Sequence, residues 1–108
     1  MSTSPLLGIT YLEESQAGAE IVFNDALNRL EAVSQLAVKD RHLTAPPGSP
    51  ANGDRYLVAA TATGAWAGKE GKIAAYYTGW IFITPLEGFS MWINDEDVRV
   101  TYNGSSWV

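Results

Sequence analysis

The sequence predicts an α+β protein: an N-terminal extended lead and one amphipathic helix, followed by a small antiparallel β meander or barrel. The helix is predicted over residues 20–39, which contain no Gly or Pro and repeat apolar residues every three or four positions. The β part is predicted over 55–108, where β-prone runs alternate with Gly-containing turns. We therefore divide the chain into a lead and helix at 1–44, a connector at 45–54 and a β domain at 55–108.

The lead contains Pro5, which disfavours a helix before it, and then several apolar residues. Terminal segments of this kind are ordered only when they dock on something. Leu6, Leu7 and Leu12 therefore predict docking, either on the same domain or on a neighbouring subunit.

The apolar stripe of the helix is open to two interpretations. Either it packs on the sheet of its own domain, or it joins subunits around a symmetry axis, because its spacing nearly satisfies a short heptad seam. The stripe consists of Phe23, Ala26, Leu27, Leu30, Val33 and Ala37. On the second interpretation the residues that dock or oligomerise are Phe23, Leu27, Leu30 and Val33.

The connector has three prolines and two glycines, which favour extended backbone and tight turns over helix. Strands are predicted after it at 55–60, 72–77, 80–84, 89–93 and 98–102, with a further one at 106–108. The turn at Asn103-Gly104 is a strong hairpin signal. Near-continuous apolar runs such as Ile81-Phe82-Ile83 indicate strands covered on both faces, which fits a stack of subunits.

Composition narrows the classes of function. The net charge is −5 and the seven basic residues are scattered, which argues against nucleic-acid binding. No run approaches the ~20 apolar residues of a membrane span, so we predict no membrane insertion. Charged residues make up only 18% of the chain, a low share that favours burial in an assembly.

Catalytic and metal chemistry are poorly supported by the sequence. The chain has no cysteine and one histidine, His42, at the predicted helix exit. The acidic run Asn94-Asp95-Glu96-Asp97 offers carboxylates for Ca²⁺, but it lacks the spaced pattern of a calcium loop and is better interpreted as a hairpin turn. We therefore predict no enzyme activity, no cofactor and no metal.

Aromatic residues give the better lead to a binding function, because flat rings can stack on sugars. The alternative is that a Trp after a tight turn packs as core or as an anchor between subunits. The candidates are Trp66, Tyr76, Tyr77, Trp80, Trp92, Tyr102 and Trp107. We single out Trp66, Tyr77 and Trp80 for ligand binding. Trp66 is expected to be the most exposed, since its Gly- and Ala-rich loop offers little to bury it.

An ordered series of motifs spans nearly the whole chain. It includes Asn24-x-Ala26-Leu27-x-x-Leu30-Glu31-Ala32, Ala45-Pro46-Pro47-x-Ser49-Pro50-x-x-Gly53-Asp54-Arg55-Tyr56-Leu57-Val58, Thr63-Gly64-Ala65-Trp66, Gly79-Trp80 and Tyr102-Asn103-Gly104-x-x-Trp107. The series resembles the domain of unknown function DUF2793, found in tail-fibre, head-spike and gene-transfer-agent proteins of bacteriophages and their relatives.

The resemblance implies a virion structural protein, a fibre or spike domain that anchors or presents the host-attachment apparatus. Such a protein would be made in the host cytoplasm and located in the tail, baseplate or head-spike region. Its implied partners are itself, as a homotrimer, and other virion proteins. The alternative is a lectin-like module that binds host surface polysaccharide through exposed aromatic residues. The resemblance transfers no catalytic residue.

Overall fold

A computed structural model describes residues 2–12 and 19–108, and it confirms the α+β class. Within these residues the chain forms one α-helix, a turn of 3-10 helix at Gly64–Trp66, and six short strands. The elements are α1 (Ala19–Ser34), β1 (Ala37–Val38), β2 (Arg55–Leu57), β3 (Ile73–Tyr76), β4 (Trp80–Ile83), β5 (Ser90–Ile93) and β6 (Val98–Thr101).

The strands form two three-stranded sheets, with orders β1-β5-β6 and β2-β3-β4. The second sheet is an antiparallel meander, and β5 and β6 form an antiparallel hairpin, as the turn signals predict. The exception is β1, which runs parallel to β5 with Ala37 opposite Trp92. A predicted strand at 106–108 is reduced to an isolated bridge between Tyr102 and Trp107.

The helix ends at Ser34, so the prediction of helix to residue 39 is wrong over its last turn. Residues 36–40 instead lie extended between the two sheets. On one side, Trp92 N–H donates to the Leu36 carbonyl (3.0 Å). On the other, Lys39 N–H donates to the Arg55 carbonyl (2.8 Å). Extended backbone can pair on both sides at once, and this contact with both sheets outweighs the local helical preference.

Two clusters of buried side chains lie on opposite faces of the second sheet. Leu57 and Ile73 belong to the larger cluster, which reaches across to the first sheet. Their sequence neighbours Tyr56 and Ala74 belong to a second cluster on the other face, which contains Trp66. The prediction that strands are covered on both faces is thus confirmed, but the chain itself supplies the cover. Apolar runs in these strands therefore give no argument for stacked subunits.

The lead docks on the rest of the chain mainly through polar contacts, and the leucine side chains stay partly exposed. Ser4 is buried, whereas Leu6, Leu7 and Leu12 keep 39%, 53% and 41% of their surface exposed. The lead also lies close to Gly53, where an added Cβ would come within 3.0 Å of Leu6. Docking on the same chain is therefore confirmed, but Leu7 and Leu12 hold the lead through their backbone groups and not through their apolar side chains.

Candidate functional site

The helix α1 is attached to the chain by a row of polar residues at heptad-like spacing. The Asn24 side chain bonds Leu12 twice, accepting from its N–H (3.0 Å) and donating to its carbonyl (3.2 Å). One turn later, Asn28 accepts a hydrogen bond from the Tyr11 hydroxyl. Another turn later lies Glu31, which is 1% exposed. The polar side of the helix therefore faces the protein.

Glu31 holds the lead, the helix and the sheet together. Its Oε2 accepts from the Ser4 hydroxyl and from Leu7 N–H (2.7 Å), and its Oε1 accepts from the Tyr77 hydroxyl (2.7 Å). Desolvation is the largest influence on the pKa of Glu31 and raises it, but these hydrogen bonds together outweigh it and hold the pKa below its ordinary value. Burial, together with the Glu31 carboxylate, raises the pKa of Tyr77. Glu31 is therefore an ionised buried hub.

Arg55, in β2, caps the C-terminal end of the helix. Its Nη1 donates to the Ala32 carbonyl (3.0 Å) and to the Gln35 carbonyl (2.7 Å), and the residue is 7% exposed. Desolvation lowers the pKa of Arg55, while Tyr77 and Glu31 oppose that shift. The last turn of the helix has no basic residue of its own. Arg55 thus supplies the positive charge that a helix C-terminus favours.

The opposite side of the helix is apolar and faces solvent. Val22, Phe23 and Leu30 are 74%, 48% and 61% exposed. Ala26 is exposed as well, while Leu27 and Val33 are half-buried. At 100° per residue, Val22, Phe23, Ala26, Leu27, Leu30 and Val33 occupy an arc of about 140° that contains no charged residue. We call this arc the outer face of α1.

The exposure of the outer face bears on one of the two interpretations of the apolar stripe, that it packs on the sheet of its own domain. Packing of the whole stripe on the chain's own sheet is contradicted by the exposure of Phe23 and Leu30. Leu27 and Val33 are partly covered, and Ala37 is buried as part of β1. Periodicity identifies both sides of the helix, but only the hydrogen bonds of Asn24, Asn28 and Glu31 show which side turns inward.

The aromatic residues singled out for ligand binding do not form an exposed platform. Trp66 is 0% exposed, so the prediction that it is the most exposed tryptophan is wrong. The 3-10 turn directs its ring onto the second sheet, where the small residue Ala74 leaves room, and the ring centroid lies 5.3 Å from that of Trp80. Trp80 and Tyr77 are half-buried, the first against Trp66 and the second on Glu31. All three rings therefore make contacts within the fold, and none of them is fully exposed.

A different pair of aromatic residues lines a groove with a volume of about 470 Å³. Trp107 and Tyr102 lie on one side of it, with ring centroids 5.1 Å apart. Trp107 Nε1 donates to the Gly71 carbonyl (3.1 Å) across the groove's edge. Charged lining residues are Arg41, Glu70 and Lys72. The Tyr-Asn-Gly-x-x-Trp motif is the sequence signal for this pair.

The acidic run at 94–97 is the turn of the β5–β6 hairpin, as predicted. Its Glu96 binds the Arg41 guanidinium with both oxygens (2.7 and 2.8 Å) and lies 3.2 Å from His42 Nε2. The hydrogen bond from Arg41 is the largest influence on the pKa of Glu96 and lowers it. Among residues 2–12 and 19–108, no group of three or more His, Asp or Glu side chains is placed to hold a metal ion.

Comparison with known proteins identifies one family. The model of a family described as "Protein of unknown function (DUF2793)" matches residues 23–108. The match begins inside α1 and includes every strand, both clusters of the core and the groove. No curated protein matches the chain. None of the helices in the described residues is long and apolar enough to span a bilayer.

Proposed function

We propose that this chain, which belongs to the DUF2793 family, is a bacteriophage virion structural protein that assembles as a homotrimer through the outer face of α1. In this role it is a fibre or spike domain in the tail, baseplate or head-spike region, made in the host cytoplasm. It anchors or presents the attachment apparatus and acts on no substrate. The virion role rests on the resemblance to tail-fibre and head-spike proteins.

The observation that carries the assembly is the orientation of α1. In a coiled coil, the a and d positions form the seam and the b, c and f positions lie on the outside. Phe23, Ala26, Leu30 and Val33 follow the a-d-a-d spacing. With that register, Asn24, Asn28 and Glu31 fall at b and f, the positions that the chain uses to hold the helix. A seam of three helices could therefore form without disturbing the contacts within each chain.

The occupant of this face is a second copy of the chain because nothing charged opposes self-association. The charged residues that flank the seam are Glu20 at e and Arg29 at g, which have opposite signs, and Arg29 pairs with Asp25 at 2.9 Å. A repeated apolar seam is also self-complementary when the copies are related by a rotation axis.

The size of the surface sets the strength expected of the assembly. Taking ~200 Å² for a large apolar side chain, the exposed parts of Val22, Phe23 and Leu30 amount to on the order of 400 Å². A standard stable interface buries about 800 Å² per partner. We therefore expect a trimer that dissociates on dilution when isolated, and that is held in the particle by further virion proteins.

Sedimentation velocity over a range of protein concentrations tests the assembly. The parent chain should approach three times its 11.7 kDa mass at high concentration. Leu30→Asp should remain a monomer, because it places a charge in the seam. Leu86→Asp is the matched control: Leu86 is 67% exposed, against 61% for Leu30, and lies outside the helix. A monomeric parent at all concentrations, or equal dissociation of the two variants, would refute the proposal.

The virion role has a separate test. Immuno-electron microscopy of intact particles, with an antibody against the β domain, should label the tail, baseplate or head spikes. The same antibody should label no particles produced after deletion of the coding sequence. Particles that contain no copies of the chain would refute a structural role even if the chain trimerises.

A further inference from the structure

We propose that the groove beside Trp107 is a binding site for a short acidic saccharide. The site does not depend on α1 or on the virion role, and it uses none of Trp66, Tyr77 and Trp80. It lies between the turn that precedes β3 and the C-terminal hairpin, with Leu57 and Val58 among its lining residues. Its volume of about 470 Å³ is within the range of small-ligand sites and suits one or two sugar rings.

The aromatic side of the groove is held in place before any ligand arrives. Trp107 is fixed by its hydrogen bond to Gly71 and by packing on the core. The next residue, Val108, exchanges two backbone hydrogen bonds with Thr101, each 2.8 Å long. Tyr102 lies against the Trp107 ring at an angle of 52°. A rigid ring pair offers apolar area at little entropic cost, which suits the C–H face of a sugar.

Hydroxyl groups lie beside the ring pair. Asn103 Oδ1 accepts from the backbone N–H groups of Ser105 and Ser106, both at 2.9 Å, and so fixes the tip of the hairpin. Ser105 and Ser106 line the groove, and their hydroxyls make no hydrogen bond to the described residues. They remain available to exchange hydrogen bonds with sugar hydroxyls.

Charge favours an acidic sugar over a neutral one. Arg41 is neutralised by Glu96, and Glu70 accepts a hydrogen bond from Ala62 N–H (2.9 Å). Lys72 is half-buried and forms no ion pair with a described residue. Glu70 keeps its negative charge in the lining, so Lys72 is the lining cation that no carboxylate among the described residues pairs with, on a chain whose net charge is −5. A carboxylate on the sugar would pair with the Lys72 ammonium in a partly desolvated setting.

Proton–nitrogen correlation NMR can test the site, since each tryptophan indole N–H gives its own signal. Digalacturonic acid is the acidic probe and cellobiose is the neutral probe of similar size. We expect the Trp107 indole signal to shift with millimolar affinity for digalacturonic acid, while the signal of buried Trp66 stays in place. Lys72→Gln should weaken that binding on the order of tenfold, the loss of one charge-assisted contact. Binding of cellobiose should be weaker and unaffected by Lys72→Gln.

Lys69→Gln is the matched control, because Lys69 belongs to the same loop but lies over the Phe82 ring, outside the groove. It should leave the affinity for digalacturonic acid unchanged. Trp107→Phe keeps most of the packing but lacks the indole signal, so its binding is followed through the backbone N–H signals of Ser105 and Ser106; it should bind both probes more weakly. No shift of the Trp107 signal at millimolar probe would overturn the proposal. Equal affinity for cellobiose would refute the acidic class, and equal binding of a short glutamate peptide would refute a saccharide.

Discussion

Replacing Glu31 by glutamine removes the charge of the buried hub while keeping its shape. The amide oxygen can take the place of Oε2 and still accept from Ser4 and Leu7. The amide nitrogen then faces Tyr77, whose hydroxyl oxygen can accept in place of donating. All contacts survive in this arrangement, so the loss reflects the missing charge alone.

The size of that loss follows from the strength of hydrogen bonds to charged groups. Such a bond contributes roughly 1.5–3 kcal/mol, against about 0.5–1.5 kcal/mol for a neutral one. The Ser4 and Leu7 bonds each lose about 1 kcal/mol on this basis, so Glu31→Gln should lower the free energy of unfolding by about 2 kcal/mol. Urea denaturation of the parent and of Glu31→Gln at neutral pH measures this difference in unfolding free energy. Asp25→Asn, in an exposed pair with Arg29, is the control and should cost only about 0.3–0.5 kcal/mol.

The dependence on pH makes the test specific for charge. The pKa of Glu31 in the folded chain lies below its ordinary value of 4.5. The ionised carboxylate therefore contributes its full stability above that ordinary value, and the contribution is lost as pH falls through the folded pKa. The parent and Glu31→Gln should differ by a constant amount at neutral pH and converge in acid. If the difference in unfolding free energy between the parent and Glu31→Gln persisted unchanged into acid, or were no larger than the loss for Asp25→Asn, the stabilising role of the Glu31 charge would be refuted.

Two further substitutions test the packing around this hub. Arg55→Leu leaves the Ala32 and Gln35 carbonyls without their donor, so it should lower the free energy of unfolding in urea by about 2–3 kcal/mol and reduce the helical circular dichroism. An equal loss of stability for Arg99→Leu, at an exposed position, would contradict the capping role of Arg55. Gly53→Ala should cost about 1–2 kcal/mol, because Gly53 has φ +94° and its new Cβ would crowd the lead. Gly48→Ala, with open space around it, should be neutral or slightly stabilising, and equal thermal shifts for the two alanine variants would refute the close approach.

Local patterns predicted most of the β domain. Strands β2 to β6 all lie within predicted segments, because alternating β-prone runs and Gly-containing turns act over a few residues. The two-residue strand β1 escaped prediction, since its extended form depends on partners at Trp92 and Arg55, far along the chain. Local periodicity favoured helix there and contains no information on distant pairing.

The candidate sites were harder to predict because exposure is a property of the whole fold. Trp66 lies in a loop of small residues that suggests an exposed ring, yet the turn at Gly64–Trp66 places it in the core. Trp107 follows a similar turn and remains at a groove. The two residues differ in their tertiary neighbours. Trp66 is covered by Ala74 and Trp80, whereas Trp107 borders the groove that Lys72 also lines.

Local sequence patterns are enough to identify an α+β chain of DUF2793 type, with one amphipathic helix before a set of short strands. Spacing also determined which helix residues share a side, since 3.6 residues per turn is a local property. That the polar side turns inward depends on contacts between distant parts of the chain. Ser4, Leu7 and Tyr77 come from distant parts of the chain and donate three hydrogen bonds to the Glu31 carboxylate. This network stabilises the ionised carboxylate more than exposure to water would, and it leaves the apolar side of the helix facing outward.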